Sequence, residues 1–254
     1  ARAARLRRRT AWTGPPLPQT PGAHVLLVTI DALRADHLGT YGYGRGLSPN
    51  LDAFAREGVV FERAYAAAPH SSYSLCSLQT SEYIHEVVDL RLPLPEETMA
   101  SVLGDVGYHT AAFYTLGIFH TEGERLRPYE EGVFAFQRHE HTNFRAEERV
   151  DKALEEYDRI LERGEPPSFV WTHFFDVHEP YLDTSLGSAD MDRYDAEIRN
   201  VDRAFARLIR ETKKRIHRPL VVVVTADHGE EFHDHGGVYH GSTLYEEQTR
   251  VPLI

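Results

Sequence analysis

Residues 24–30 (HVLLVTI) and 219–225 (PLVVVVT) decide the fold of this 254-residue chain. Each is a short run of apolar, largely β-branched residues without polar alternation, which is typical of a strand buried on both faces of a parallel sheet. Further extended segments are expected at 59–61, 109–114 and 168–175, and helices at 48–57, 95–106, 144–163 and 189–214. Strands that alternate with helices indicate an α/β domain, with a mostly parallel sheet flanked by helices.

Composition limits the class of protein. Hydrophobic residues make up 41% of the chain, enough for a globular core, and no apolar run approaches the roughly 18 residues of a membrane-spanning helix. The single cysteine, Cys76, excludes an internal disulfide and a zinc site built from thiolates. Net charge is −11, and five arginines fall within residues 1–10, which leaves 23 basic against 39 acidic residues elsewhere. This excess of acidic residues outside residues 1–10 argues against nucleic acid as a partner.

Residues 1–22 are predicted to form a basic, proline-rich tail or linker. Four prolines lie within residues 11–22, which favours an extended polyproline conformation. The arginines at the start suit an anionic membrane surface, and a solvated or trimmed tail explains them equally well. At the other end, residues 250–254 (RVPLI) look like the start of a further strand. We therefore expect residues 23–254 to be the N-terminal portion of a domain that continues beyond Ile254.

Polar residues with metal-ligand chemistry follow three of the predicted strands. Asp31 follows residues 24–30, Asp176 and His178 follow 168–175, and Asp227 with His228 follow 219–225. The carboxyl ends of parallel strands meet at one edge of an α/β sheet, where ligands bind. We expect these side chains to converge there, together with His240 and with the serines that precede a predicted helix, Ser71, Ser72 and Ser74.

Carboxylates and imidazoles that converge from separate strands are typical ligands of a divalent metal. The mixture of oxygen and nitrogen suits zinc or manganese, and it suits calcium or magnesium less well because histidine is present. A hydroxyl at a helix start also lies among backbone N–H groups that favour an anion. Together these residues predict metal-assisted displacement at phosphorus or sulfur by a serine hydroxyl. Taken singly, Asp31 is more typical of a turn or a helix cap, and His178 of a loop contact.

Six blocks of sequence, taken in order, resemble the sulfatase branch of the alkaline phosphatase superfamily. They are VTIDALRADHLGTYGY (28–43), SPNLDAFAREGVVFERAYA (48–66), APHSSYSLCSLQTSEY (68–83), FFDVHEPY (174–181), TADHGEEFHDHGG (225–237) and YHGSTLYEEQTRVPLI (239–254). The resemblance implies an alkaline phosphatase-like fold. It also implies a main metal site with Ser71 as the nucleophile, and the matching metal positions are Asp31, Ser71, Asp227 and His228.

The resemblance gives a further role to the histidines. His178 and His240 match histidines that contact the substrate or a second metal in related phosphoethanolamine transferases. Asp176 stands beside His178 in the sequence and is a candidate third ligand of that second metal. The catalytic set implied is therefore Ser71 with His178 and His240.

The nucleophile segment departs from the sulfatase pattern C-x-P-S-R, in which the first residue is converted to formylglycine. The aligned residues 71–75 are SSYSL and lack both the proline and the arginine. Sulfatases usually carry two adjacent aspartates after the first strand, whereas Ile30 precedes Asp31 here. The family's lysine and histidine would fall near Leu116 and Ile118. An unmodified serine at the nucleophile position resembles the pattern in the phospho-transfer members of the superfamily. These members are phosphodiester or phosphonate hydrolases and lipid phosphoethanolamine or glycerophosphate transferases.

The leading hypothesis is a metal-dependent hydrolase or transferase that acts through Ser71 on phosphate or phosphonate esters, either small molecules or lipid-linked. A sulfuric ester hydrolase is the first alternative. A non-catalytic relative that binds a metal or a lipid headgroup is the second. Related transferases are often tethered to membranes, so the resemblance also implies a catalytic domain in the periplasm or outside the cell.

Overall fold

The computed structural model describes residues 20–89, 95–119, 123–142 and 145–254. Its strands are β1 (His24–Ile30), β2 (Ala64–Tyr65), β3 (His109–Tyr114), β4 (Arg138–His141), β5 (Ser168–Phe174), β6 (Leu220–Ala226), β7 (Glu231–Phe232), β8 (Val238–Tyr239) and β9 (Arg250–Val251). Its α-helices are α1 (Pro49–Glu57), α2 (Ser71–Thr80), α3 (Ile84–Val88), α4 (Met99–Asp105), α5 (Gly123–Gly132), α6 (Ala146–Glu162), α7 (Asp190–Arg215) and α8 (Glu246–Thr249). Residues 1–19 of the predicted tail lie outside the described ranges.

A parallel sheet forms the centre of the described part of the chain. Its five strands lie in the order β4–β3–β5–β1–β6, and each neighbouring pair is parallel. The predicted α/β class with a parallel sheet flanked by helices is therefore confirmed. β5 occupies the middle, and every one of its residues is buried, as expected for a strand that is covered on both faces.

Two hydrophobic cores lie on the two faces of this sheet. Side chains alternate between the faces along each strand, because the period of a strand is two residues. Val28 and Ile30 of β1 belong to the core that contains the buried faces of α6 and α7. Leu27 of β1 and Trp171 of β5 belong to the opposite core, with residues of α2 and α4. The helices therefore form a layer on each side of the sheet.

Some details of the predicted strands were wrong. Residues 59–61 form no strand, and pairing begins instead at β2, which lies antiparallel to β9. The sequence predicts full burial for β6, yet Leu220–Val223 are half-buried or exposed. The reason is position, since among the described strands β6 lies at the edge of the sheet beside β1. The polar strand β4 has no apolar run and was not predicted.

The strands that lead into the candidate site end at the same level. In the parallel register, Ile30 of β1 lies opposite Phe174 of β5 and Ala226 of β6. The backbone N–H of Asp31 then donates a hydrogen bond of 2.8 Å to the carbonyl of Phe174. The residues that follow these strands therefore leave the sheet side by side at its carboxyl edge.

Glu165 joins three chain segments at the opposite edge of the sheet. One carboxylate oxygen, Oε1, accepts hydrogen bonds from the backbone N–H groups of His217 at 2.5 Å and Arg218 at 3.1 Å. The same oxygen lies 3.3 Å from Nε2 of His24 at the start of β1. Desolvation alone would raise the pKa of Glu165, but these donors lower it to about 2.

We expect Glu165→Gln to reduce the free energy of unfolding at pH 7 by about 1 kcal/mol, because a charged acceptor becomes neutral in a partly exposed position. A carboxyl with a lowered folded-state pKa stabilises the fold above its ordinary pKa of 4.5, and that stabilisation is lost as the pH falls towards 2. Urea denaturation at pH 7 and at pH 3 should therefore show a smaller difference at pH 3. The control is Glu162→Gln, an exposed glutamate at the end of α6. An equal difference at both pH values would contradict the assignment.

Candidate functional site

Asp31 and Asp227 stand directly after β1 and β6, and both are fully buried. Oδ1 of Asp227 accepts hydrogen bonds from the backbone N–H groups of His228 at 2.9 Å and Ala32 at 3.2 Å. These bonds join the ends of the two strands through one carboxylate. The two aspartates are therefore held in place by the sheet itself.

The helix α2 brings a hydroxyl to the same place. The serines lie in its first turn, whereas the sequence placed them before a helix. Oγ of Ser74 donates to the carbonyl of Asp227 at 2.5 Å, and Oγ of Ser72 donates to the carbonyl of Ile118 at 2.6 Å. These two bonds fix the start of α2 against the loops that follow β6 and β3. Ser71 is left with its side chain at a helix N-terminus, where backbone N–H groups favour a bound anion.

The four residues predicted to hold the main metal lie together in the structure. Oγ of Ser71 lies 3.0 Å from Nε2 of His228 and 3.4 Å from Oδ2 of Asp31. The same Nε2 lies 3.5 Å from Oδ1 of Asp31 and 3.6 Å from Oδ2 of Asp227. The Ser71 hydroxyl, an imidazole and two carboxylates thus surround one point at the end of the sheet.

Two carboxylate oxygens at this point stand out by their missing partners. Oδ1 of Asp31 and Oδ2 of Asp227 are buried and have no hydrogen-bond partner among the residues that the structure describes. A buried polar atom without a partner is costly, and a charged one more so. A divalent cation between the two carboxylates would satisfy both oxygens. The residues present therefore fit a metal, and this donor set suits zinc or manganese.

The tautomer of His228 follows from its second nitrogen. Nδ1 lies 2.9 Å from the carbonyl of Gly229, which can only accept, so Nδ1 carries the proton. In the neutral ring Nε2 then has a free lone pair, and it faces Ser71 and both aspartates. That nitrogen is oriented to bind a cation.

The imidazoles around Asp31 favour its ionised form. Burial alone would raise the pKa of Asp31, but the nearby imidazoles of His178, His173 and His228 outweigh burial and hold it well below its usual range. An ionised carboxylate is the form that binds a cation.

His178 and His240 form a second group beside the first. Their ring centroids are 5.0 Å apart, and the ring of His240 lies 4.2 Å from that of His228. Ligand atoms of His178, His240 and Glu179 all lie within 4.8 Å of one another. This group has the size and composition of a metal or substrate site, which agrees with the position expected for the two histidines.

Asp176 has different neighbours from those expected. Its Oδ2 lies 4.0 Å from the guanidinium of Arg149 on α6, and burial raises the pKa of Asp176 to about 6. The carboxylate that lies within ligand distance of both imidazoles is Glu179. The sequence alone does not show that Glu179 lies beside the histidines in place of Asp176, because the turn after β5 decides which of the two carboxylates faces them.

Two further residues of the site were missed from the sequence. Glu230 is fully buried; its Oε1 lies 3.0 Å from Nδ1 of His240, and its Oε2 accepts a 2.7 Å hydrogen bond from the hydroxyl of Tyr181. Burial would lower the pKa of His240, but the bond to Glu230 and its charge raise it to about 9. His173, also fully buried, places Nε2 at 3.0 Å from Oδ2 of Asp31. The one sequence signal for His173 is its position, as a histidine inside the apolar run 168–175.

Comparison with known proteins places these features in a family context. The family model described as Sulfatase matches residues 23–254. An arylsulfatase of Clostridium perfringens is 36% identical over 107 residues, and steryl-sulfatase of Mus musculus is 35% identical over 111 residues. These alignments cover 40% and 38% of this chain, but only 22% and 18% of the relatives. The matched stretch thus spans about a fifth of those proteins.

Solved structures share the fold at low sequence identity. The C-terminal periplasmic domain of phosphoethanolamine transferase EptC from Campylobacter jejuni superposes with a TM-score of 0.73 at 16% identity, over 92% of this chain and 78% of that one. The corresponding domain of EcEptC from Escherichia coli, in complex with zinc, gives 0.71 at 18% identity, over 91% and 72%. None of the helices in the described part of the chain combines the length and the apolar character needed to cross a membrane.

We expect Asp227→Asn to weaken zinc binding by more than about 100-fold, since it removes a carboxylate charge that faces the cation while keeping Oδ1 as an acceptor. A competition titration with a chromogenic zinc chelator measures the affinity. Asp158→Asn, which alters an exposed aspartate on α6, is the matched control. Equal zinc affinity in the Asp227 variant and the wild type would show that this carboxylate is not a ligand.

Proposed function

This chain belongs to the sulfatase family of the alkaline phosphatase superfamily, and from that membership we propose a metal-dependent hydrolase or transferase acting on phosphate or phosphonate esters through Ser71. The observation that carries the proposal is the position of Ser71. Its Oγ lies 3.0 Å from His228 at the first turn of α2, beside two buried carboxylate oxygens that have no partner. Residues 71–75 lack the proline and arginine of the formylglycine pattern, which favours phosphorus over sulfur.

A divalent metal held by Asp31, Asp227, His228 and the Ser71 hydroxyl would lower the pKa of that hydroxyl and polarise the ester oxygens. Oγ of Ser71 attacks phosphorus in line, and the bond to the leaving oxygen breaks as the bond to Ser71 forms. The N–H groups at the start of α2 stabilise the charge on the phosphoryl oxygens. Water, or the hydroxyl of an acceptor, then releases the phosphoryl group from the serine. The first acceptor makes the protein a hydrolase and the second a transferase.

His240 supplies the proton that the leaving oxygen needs. Glu230 lies within hydrogen-bond distance of Nδ1 of His240, and the raised pKa of His240 keeps its ring charged at neutral pH. Nε2 of His240 can therefore donate its proton. His178 lies next to it and completes the wall of the site. His178, Glu179 and His240 could instead hold a second cation, which would supply charge stabilisation to the leaving oxygen in place of the proton from His240.

A sulfuric ester hydrolase remains the second candidate function. It is favoured by the relatives, because the arylsulfatase and steryl-sulfatase alignments exceed 30% identity. The same aspartates, histidine and hydroxyl would serve sulfate esters, whose geometry is also tetrahedral. The two candidates differ at the nucleophile, which is formylglycine in one and serine in the other.

The proposal also covers the organic part of the substrate and the cellular location of the protein. We infer a small-molecule or lipid-linked ester, and the arginines of residues 1–10 suit an anionic membrane surface near such a lipid. By resemblance to the membrane-tethered transferases of the family, we infer a catalytic domain in the periplasm or outside the cell. The acidic remainder of the chain argues against nucleic acid as a partner.

We expect the wild-type protein, with zinc or manganese, to hydrolyse an aryl phosphodiester or an aryl phosphonate ester faster than an aryl sulfate. Ser71→Ala should lower the rate on the phosphorus esters by at least about 1,000-fold, because the attacking group is removed. Ser185→Ala, an exposed serine on a loop, is the control for handling and folding. Full activity in the Ser71 variant would show that another group attacks, and a faster rate on sulfate would favour the sulfatase.

We expect the peptide that contains Ser71 to have the mass of unmodified serine. Conversion to formylglycine removes two hydrogens, so mass spectrometry of a proteolytic digest separates the two states directly. The peptide should be taken from protein made in a host that contains the converting enzyme. A mass lower by two hydrogens at position 71 would replace the phosphoester proposal with the sulfatase.

A further inference from the structure

Four polar side chains form a continuous line on one face of the sheet, and the mechanism uses only the last of them. Trp171 and His173 are alternate residues of β5, while Thr29 and Asp31 are alternate positions on and just after β1. Thr29 lies opposite His173 in the parallel register, so all four side chains project to the same face. All four residues are fully buried. The row leads from the core towards α2 and Ser71.

Each contact in the row is short. Nε1 of Trp171 donates to Oγ1 of Thr29 at 2.9 Å. Oγ1 of Thr29 lies 2.7 Å from Nδ1 of His173, and Nε2 of His173 lies 3.0 Å from Oδ2 of Asp31. No nitrogen of this imidazole is left over, because each has a partner.

The direction of the protons follows from donor counting. The indole of Trp171 can only donate, so Oγ1 of Thr29 receives that bond and has its own proton to give. An ionised Asp31 carboxylate can only accept, so Nε2 of His173 carries a proton and donates it to Oδ2 of Asp31. In a neutral ring Nδ1 is then unprotonated and accepts the proton of the Thr29 hydroxyl. In a neutral imidazole the row therefore selects the Nε2–H tautomer.

A competing possibility is that His173 is itself a metal ligand. Ligand atoms of Asp31, His173 and Asp227 lie within 4.8 Å of one another. However, both nitrogens of His173 are already committed to hydrogen bonds, whereas Oδ1 of Asp31 and Oδ2 of Asp227 have none. A cation would meet those two free oxygens without breaking any bond in the row.

We propose that His173 is a positioning residue, which Thr29 locks in the Nε2–H tautomer and which in turn orients Asp31 so that its other oxygen faces the cation. The inference rests on the proposed function only in taking Asp31 as a ligand of the metal. Hydrogen bonds that orient ligands in this way typically change metal affinity by about 10- to 100-fold. Trp171 belongs to the row because its N–H occupies one of the two lone pairs of the Thr29 hydroxyl.

The first test reads the tautomer without any metal. Nitrogen-15 NMR of the metal-free wild-type protein should show His173 with Nε2 protonated and Nδ1 unprotonated, and comparison with His173→Gln assigns the signals. Loading with zinc should leave the Nε2 proton in place. A protonated Nδ1 in the metal-free protein would overturn the proposal. Loss of the Nε2 proton on zinc binding would also overturn it, because His173 would then be a ligand.

The second test breaks the row one residue away from the imidazole. Thr29→Val keeps the branched shape but removes the hydroxyl, and we expect zinc affinity to fall about 10- to 100-fold. Thr29→Ser keeps a hydroxyl and should keep most of the wild-type affinity. A loss in Thr29→Val but not in Thr29→Ser then comes from the missing hydroxyl and not from a change in side-chain volume. If Thr29→Val fails to fold, Thr29→Ser and the tautomer of the wild type still decide the matter. Unchanged affinity in a folded Thr29→Val protein would overturn the proposal.

The two ideas fail in different ways. A wild-type protein that binds no zinc or manganese, yet shows the Nε2–H tautomer, contradicts the proposed metal-dependent function and supports the hydrogen-bonded row. A protein that binds zinc tightly with the opposite tautomer contradicts the role of His173 and supports the metal site.

Discussion

The common level at which β1, β5 and β6 end is the constraint on which the candidate site depends. Ile30 lies opposite both Phe174 and Ala226, so three loops leave the sheet from adjacent points. A slip of one residue in this register would turn every side chain of a strand to the other face. Asp31 would then point away from α2, and the site would lose a carboxylate. Apolar packing on both faces of the sheet, far from any chemistry, is what prevents that slip.

Three serines in one turn of α2 illustrate how position separates structural from chemical roles. Ser72 and Ser74 give their hydroxyl protons to carbonyl groups of neighbouring loops, and they hold the helix start in place. Ser71 has the same side chain but faces an imidazole and a carboxylate instead of a carbonyl. The helix period of 3.6 residues sends the three hydroxyls in different directions. The hydroxyl proposed as the nucleophile thus lies on a helix that two other serines hold in place.

Asp31 and Asp227 could be predicted from the sequence, whereas His173 within β5 and the carboxylate beside His178 and His240 could not. Asp31 and Asp227 follow apolar runs that mark buried strands, so their meeting at one edge follows from a parallel sheet. The choice between Asp176 and Glu179 depends on a turn and on Arg149 from a distant helix, which no local pattern encodes. The same holds for the burial of β6. Its apolar run predicts a strand, but it does not predict which neighbouring elements cover that strand.

The two bare carboxylate oxygens have a consequence for the protein as a whole. Burying these two charged oxygens without a partner among the described residues costs folding free energy that a bound cation would return, so stability and cation supply are thermodynamically linked. Above the dissociation constant, each tenfold rise in free cation adds about 1.4 kcal/mol to the stability of the folded state. A cell short of that cation would hold a less stable protein, more exposed to proteases and quicker to be removed. The abundance of the protein would then follow the supply of its metal.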